Sequence, residues 1–215
     1  MNPTTSYDSL IFDLDGTLWD STQTIADAWN AAINQFDFVD NNLTREDIRN
    51  IAGMPYDAIY EKLFPGLSTE QRQELQKTAA ELELEYLYKQ GGEPYPQLRQ
   101  TLELLQPKYK LCIVSNCQSG YIEAFLQYFD LQSYFTDIAC YGDKSLSKGE
   151  NIRAVVQRNN LQRPVYIGDT QGDYDASVKA QVPFILAAYG FGEVQAEVPA
   201  IAALADLQEL VSTTA

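Results

Sequence analysis

The chain repeats one device, a short apolar run that stops abruptly in polar residues. Such runs lie at Leu10 to Leu14, Leu111 to Ser115, Ile138 to Tyr141, Val165 to Gly168 and Pro183 to Ala188. They read as buried strands. Between the later runs the pattern turns helical, at Gly120 to Phe129, Glu150 to Asn159 and Tyr174 to Ala180. Strands that alternate with helices pack as a parallel sheet with helices on its faces, so the expected class is α/β, a doubly wound, Rossmann-like parallel sheet.

One interval breaks the alternation. From Ser21 to Gln90 only helical patterns occur: Thr22 to Phe36, Thr44 to Ala52, Tyr56 to Phe64 and a long one from Thr69 to Lys89. Ser68 with Gln71 has the spacing of a capping box, Thr44 can cap the second helix, and Gly91-Gly92 closes the last. We therefore expect a helical cap domain at residues 21–90, inserted after the first strand of an α/β core made of residues 1–20 and 91–215. A chain of 215 residues is long enough for such a core and a smaller insert.

One absence narrows the chemistry. The sequence has no histidine, which removes His-based acids and bases, Ser-His-Asp triads and the commonest zinc ligand together. Catalysis is left to carboxylates, hydroxyls and lysine. Fifteen basic against 30 acidic residues give a formal net charge of -15. That field repels phosphate backbones and anionic membranes, so neither nucleic acid nor membrane is an expected partner. Cys112, Cys117 and Cys140 form no CxxC pair, which suits a reducing compartment. The start lacks a basic stretch ahead of an apolar one, and no run of ~18 apolar residues occurs. The expected location is the cytoplasm.

Four segments carry chemistry. The first strand ends in Asp13-Leu14-Asp15-Gly16-Thr17. Side chains alternate along a strand, so Asp13 and Asp15 can project together at its carboxyl end, the rim where open α/β sheets bind ligands. A strand also delivers Ser115 and Asn116 to that rim. Ser115 could donate to a phosphoryl oxygen, and Asn116 could orient substrate. Lys148 opens a helix in Ser147-Lys148-Gly149-Glu150 and offers a compact, movable positive charge. Gly168-Asp169 ends a further strand, with Asp173 four residues on. Several acids on one rim repel one another unless a cation neutralises them, and an oxygen-only donor set without histidine points to Mg²⁺.

Asp13 to Thr17, Ser115-Asn116, Lys148 and Gly168-Asp169 with Asp173 resemble, in order and context, the four motifs of the haloacid dehalogenase superfamily. The helical interval is similar to the cap of its first subfamily, and Tyr189-Gly190-Phe191-Gly192 is similar to a segment of phosphoglycolate-phosphatase-like members. The resemblance implies a phosphatase for a small phosphorylated metabolite in which Asp13 is the nucleophile and Asp15 the acid and base. It implies Mg²⁺ held by the carboxylates of Asp13 and Asp169 and the main-chain oxygen of Asp15, with Asp173 in support. Ser115 and Lys148 would hold the transferring group, with Thr17, Asn116, Gly53 and Met54 near substrate. Many relatives carry proline directly after the motif lysine, whereas this chain has Gly149, so Lys144 is a rival for the role. The segment Ile51 to Tyr56 lies where relatives carry a substrate-specificity loop.

A phosphomutase of the same family would use the same residues, and the sequence does not separate it from a phosphatase. Other readings fit the motifs less well. A dehalogenase needs neither Asp15 nor a metal. A signalling module phosphorylated on aspartate has no use for a lid over the rim. No Gly-Lys dipeptide exists for a P-loop, and Gly190-Phe191-Gly192 lacks the third glycine of a dinucleotide fingerprint.

Overall fold

Strand β1 (Ser9–Phe12) is buried along its whole length, and its neighbours explain why. It pairs in parallel with β4 (Lys110–Ser115) on one side and with β6 (Pro164–Gly168) on the other. The computed structural model describes residues 7–54 and 56–213, with only the backbone at 56, 57 and 213. Beyond β4 lies β5 (Asp137–Cys140); beyond β6 lie β7 (Phe184–Ala187) and β8 (Ala200–Ile201). The sheet order is β5-β4-β1-β6-β7-β8, every pairing parallel.

Alternation along the strands divides the core in two. Leu10, Phe12, Leu111, Ile113, Val165 and Ile167 face one side, with α5 (Leu98–Leu105), α6 (Tyr121–Phe129) and α10 (Leu207–Thr213) packed there. Ile11, Cys112, Val114 and Tyr166 face the other, covered by α8 (Lys148–Arg158) and α9 (Gln171–Ala180).

The interval after β1 holds α1 (Thr22–Ile33), α2 (Arg45–Arg49), α3 (Tyr56–Leu63) and α4 (Thr69–Gln90), with no strand between residues 22 and 90 among those described. Both expected start signals act. Ser68 and Gln71 close a reciprocal capping box on α4, and Thr44 and Asp47 close one on α2. Trp29 of α1 stacks on Tyr60 of α3 at 5.2 Å. The apolar cluster of the sheet runs on into these helices through Ile25, Trp29, Leu75 and Leu87.

Two-residue strands β2 (Trp19–Asp20) and β3 (Glu93–Pro94) pair antiparallel where the helical interval leaves and rejoins the sheet. The short helix α7 (Tyr141–Lys144) begins where the third apolar run was expected to continue as strand. No helix among the described residues is long and apolar enough to cross a membrane.

Candidate active site

The three central strands bring Asp13, Ser115 and Asp169 to one rim because each is at or just beyond the end of its strand, and those strands are neighbours. The chain leaves β1 through a tight turn. Asp13 N–H still donates to Ile167 O at 2.8 Å, after which Leu14 O accepts from the Thr17 and Leu18 N–H groups. Gly16 stands in this turn at φ 82°, and a Cβ there would lie 2.1 Å from Asp169 Oδ2. Glycine is required twice over, for the backbone angle and for the approach of Asp169.

Lys148 is the first residue of α8, and its side chain is only 4% exposed. Its Nζ lies 2.8 Å from Asp13 Oδ1 and 2.7 Å from Asp173 Oδ1. Lys144, the rival, is exposed at the end of α7. Gly149, in place of the proline common in relatives, lies against α9, where a Cβ would be 3.0 Å from Ala176 O.

Asp173 does two jobs. Its Oδ2 accepts from Thr170 Oγ1 at 2.7 Å and from Thr170 N–H at 3.0 Å, capping α9, while its Oδ1 meets Lys148. Asp169 accepts from Phe191 N–H at 2.7 Å on Oδ2 and from Thr17 Oγ1 at 3.4 Å on Oδ1. Thr17 is thus turned to Asp169.

The electrostatics follow from burial. Asp13, Asp169 and Asp173 each place a carboxylate oxygen within 4.8 Å of the others. Burial, then repulsion from Asp173, raises the pKa of Asp13 against the pull of Lys148. Burial and its two acidic neighbours push Asp169 up as well. Burial opposes ionisation of Asp173 too, but Lys148 and the Thr170 hydrogen bonds outweigh it and hold its pKa low. For Lys148 burial works against the charge, and Asp13 and Asp173 overcome it to raise its pKa. If all three carboxylates are to be ionised beside the one ammonium, two negative charges are left to be compensated. A divalent cation fits that deficit, and an all-oxygen donor set fits Mg²⁺.

Asp15 is set apart from this cluster. Its Oδ1 accepts from Ser21 Oγ at 2.5 Å and from Tyr121 OH at 2.9 Å. Burial pushes its pKa up to about 6, with those two hydroxyls pulling the other way. Asn116 donates to Gly53 O at 3.0 Å, which ties the loop after α2 to the rim. Met54 is half-buried beside it, Pro55 lies outside the described residues, and so does the side chain of Tyr56.

Sequence reasoning did not find Ser21, Tyr121 or Glu83. For the first two no signal existed. Glu83 had one, since Leu75, Ala79, Glu83 and Leu87 form the buried stripe of α4 at spacings of four, and an acid on such a stripe needs partners. It has them in Trp29 Nε1 at 2.5 Å and Gln118 Nε2 at 2.8 Å.

Residues 10–187 match the family described as haloacid dehalogenase-like hydrolase. A phosphoglycolate phosphatase from Aquifex aeolicus is 27% identical over 198 residues, covering 88% of this chain and 89% of that protein. One from Vibrio vulnificus is 29% identical over 195 residues, covering 85% and 84%. Among solved structures, a haloacid dehalogenase-like family hydrolase from Streptococcus pneumoniae superposes with a TM-score of 0.81 at 23% identity, covering 96% of this chain and 99% of that one. A predicted phosphoglycolate phosphatase from Haemophilus somnus gives a TM-score of 0.83 at 19% identity, covering 96% and 98%. With the family match running from β1 through β7, this chain belongs to the haloacid dehalogenase-like hydrolases.

Proposed function

We propose that this chain hydrolyses a small phosphomonoester through an aspartyl phosphate on Asp13, with Mg²⁺ as its metal. The observation that carries this reading is the buried group of Asp13, Lys148, Asp169 and Asp173 at the carboxyl ends of β1 and β6. Asp13 and Asp169, with the main-chain oxygen of Asp15, would hold the ion, and Asp173 would support them from behind. Bound there, Mg²⁺ supplies positive charge that lets an anionic carboxylate meet an anionic phosphoryl group.

The residues divide the work. An Asp13 carboxylate oxygen forms a bond to phosphorus as the bond from phosphorus to the leaving oxygen breaks, and Asp15 hands its proton to that oxygen. Asp15 then takes a proton from water as the water oxygen attacks phosphorus. The phosphorus–Asp13 bond breaks, releasing inorganic phosphate and restoring the carboxylate. Lys148 and Ser115 steady the phosphoryl oxygens throughout. Thr17 positions Asp169. The helical interval of residues 21–90 serves as a cap on the core of residues 1–20 and 91–215, and Gly53 and Met54, tied to the rim through Asn116, face the leaving group.

Phosphate release from a panel of small phosphomonoesters, phosphoglycolate included, tests this. Release should require Mg²⁺, cease with chelator and not be restored better by Zn²⁺. Undiminished release in excess chelator overturns the metal assignment. Transfer of the phosphoryl group back to an organic acceptor would instead identify a mutase.

A further inference from the structure

The space over the rim is walled by α1, the α2–α3 region and α4, and that wall is apolar: Ile25, Trp29, Ile48, Ile51, Met54 and Ile59 line it. Its one ionisable side chain among the described residues is Glu83, 3% exposed. Both Glu83 oxygens accept a hydrogen bond, Oε2 from Trp29 and Oε1 from Gln118, so the wall presents acceptors. No lysine or arginine is part of this wall among the described residues. The basic residues of α2 and α3 are engaged elsewhere: Arg45 with Asp20 and Glu93, Arg49 with Gly190 O and the Phe191 ring, and Lys62 with Asn50 O. Lys148 is on the floor, held between Asp13 and Asp173.

A carboxylate on the leaving group would leave water for a wall that holds Glu83, with Asp15 beneath it, and that offers no cation of its own among the described residues. Desolvation and like-charge repulsion both oppose it. An uncharged, partly apolar alcohol meets neither penalty and gains contact with the wall. We infer that this chain acts on phosphomonoesters whose leaving alcohol is uncharged and partly apolar, with Glu83 as the residue that turns acidic leaving groups away. The inference rests on the reading of the chain as an Asp13 phosphatase. It runs against the substrate named for the relatives, whose 26–29% identity leaves the chamber free to differ.

The test compares kcat/KM at pH 8 with Mg²⁺ for phosphoglycolate, for 2-hydroxyethyl phosphate, its uncharged near-isostere, and for propyl phosphate. The unaltered protein should favour each uncharged ester over phosphoglycolate by at least about tenfold. Glu83→Gln should narrow that ratio by about tenfold, chiefly by gain on phosphoglycolate. Arg49→Gln should leave the ratio unchanged. A preference of the unaltered protein for phosphoglycolate overturns the inference, and that ratio decides the matter even if Glu83→Gln fails to fold. An unchanged ratio in folded Glu83→Gln, or a loss confined to phosphoglycolate in Arg49→Gln, overturns it as well. Release from none of the esters overturns the phosphatase mechanism along with it, whereas release that favours phosphoglycolate overturns this inference alone.

Discussion

The rim and the helical wall above it enclose the same space and are built on opposite terms. On the rim, Lys148 is clamped between Asp13 and Asp173, Asp173 is pinned by Thr170, and Asp169 by Phe191 and Thr17. On the wall, one acid sits among apolar side chains with two neutral donors and no counter-ion. Charge meets charge below, and charge meets only dipoles above. The reacting phosphoryl group is the same for any phosphomonoester, so the floor must supply fixed charge. On the proposed reading the leaving alcohol varies, so the wall is the part expected to select, by shape and by what it repels. Hydrogen bonds from Asn116 to Gly53 O and from Gln118 to Ala80 O and Glu83 link the two.

The comparison predicts a gradient of effects, steepest on the rim. Asp13→Asn removes the proposed nucleophile, so turnover should fall by at least about 10⁴-fold with no phosphorylated protein. Retained turnover near that of the unaltered protein would break the assignment of the floor. Asp15→Asn should cost ~10²- to 10⁴-fold, the range for a lost acid and base. It keeps the main-chain oxygen while removing the proton carrier. An activated aryl phosphate needs little protonation of its leaving group, so with it the first step should survive better than the second. Intact mass after acid quench should then show one added phosphoryl group on Asp15→Asn and none on Asp13→Asn. A label on another residue would remove Asp13 from its role.

The two regions also differ in how far the sequence discloses them. Rim residues stand at the ends of apolar runs, and a run of apolar residues is a local pattern, so the parallel sheet and the placement of Asp13, Ser115 and Asp169 on neighbouring strand ends were open to reading. Lys148 was ambiguous because Gly149 follows it where many relatives carry proline, and a lone lysine at a helix start carries no period that separates it from Lys144. Strands β2, β3 and β8, two residues each, are too short for alternation to register. The wall was hidden for a different reason. Glu83 meets Trp29 and Gln118, 54 and 35 positions away, and no spacing rule reaches that far. Tyr121 likewise meets Asp15 across 106 positions.

The smallest effect is the one that separates wall from rim by sign. Burial pushes the Glu83 carboxyl from an ordinary value of 4.5 up to about 7; Gln118 and Trp29 pull it down and Asp15 adds to the rise. Between those two values the folded chain binds a proton at Glu83 that the unfolded chain has already lost. The stability Glu83 contributes is therefore complete below about pH 4.5 and falls away as the pH rises through about 7. Glu83→Gln has no such proton. The stability of the unaltered protein minus that of Glu83→Gln, from urea unfolding at a series of pH values, should decline by up to about 3 kcal/mol across this window. Asp13 and Asp169 titrate in both proteins and cancel in the difference to first order. Asp173, held low by Lys148 and Thr170, has the opposite sign, adding stability above its unfolded pKa and losing it as the pH falls. A gap that stayed flat, or grew with pH, would mean that Glu83 finds a counter-charge in the folded chain. The wall would then be built on the same terms as the rim.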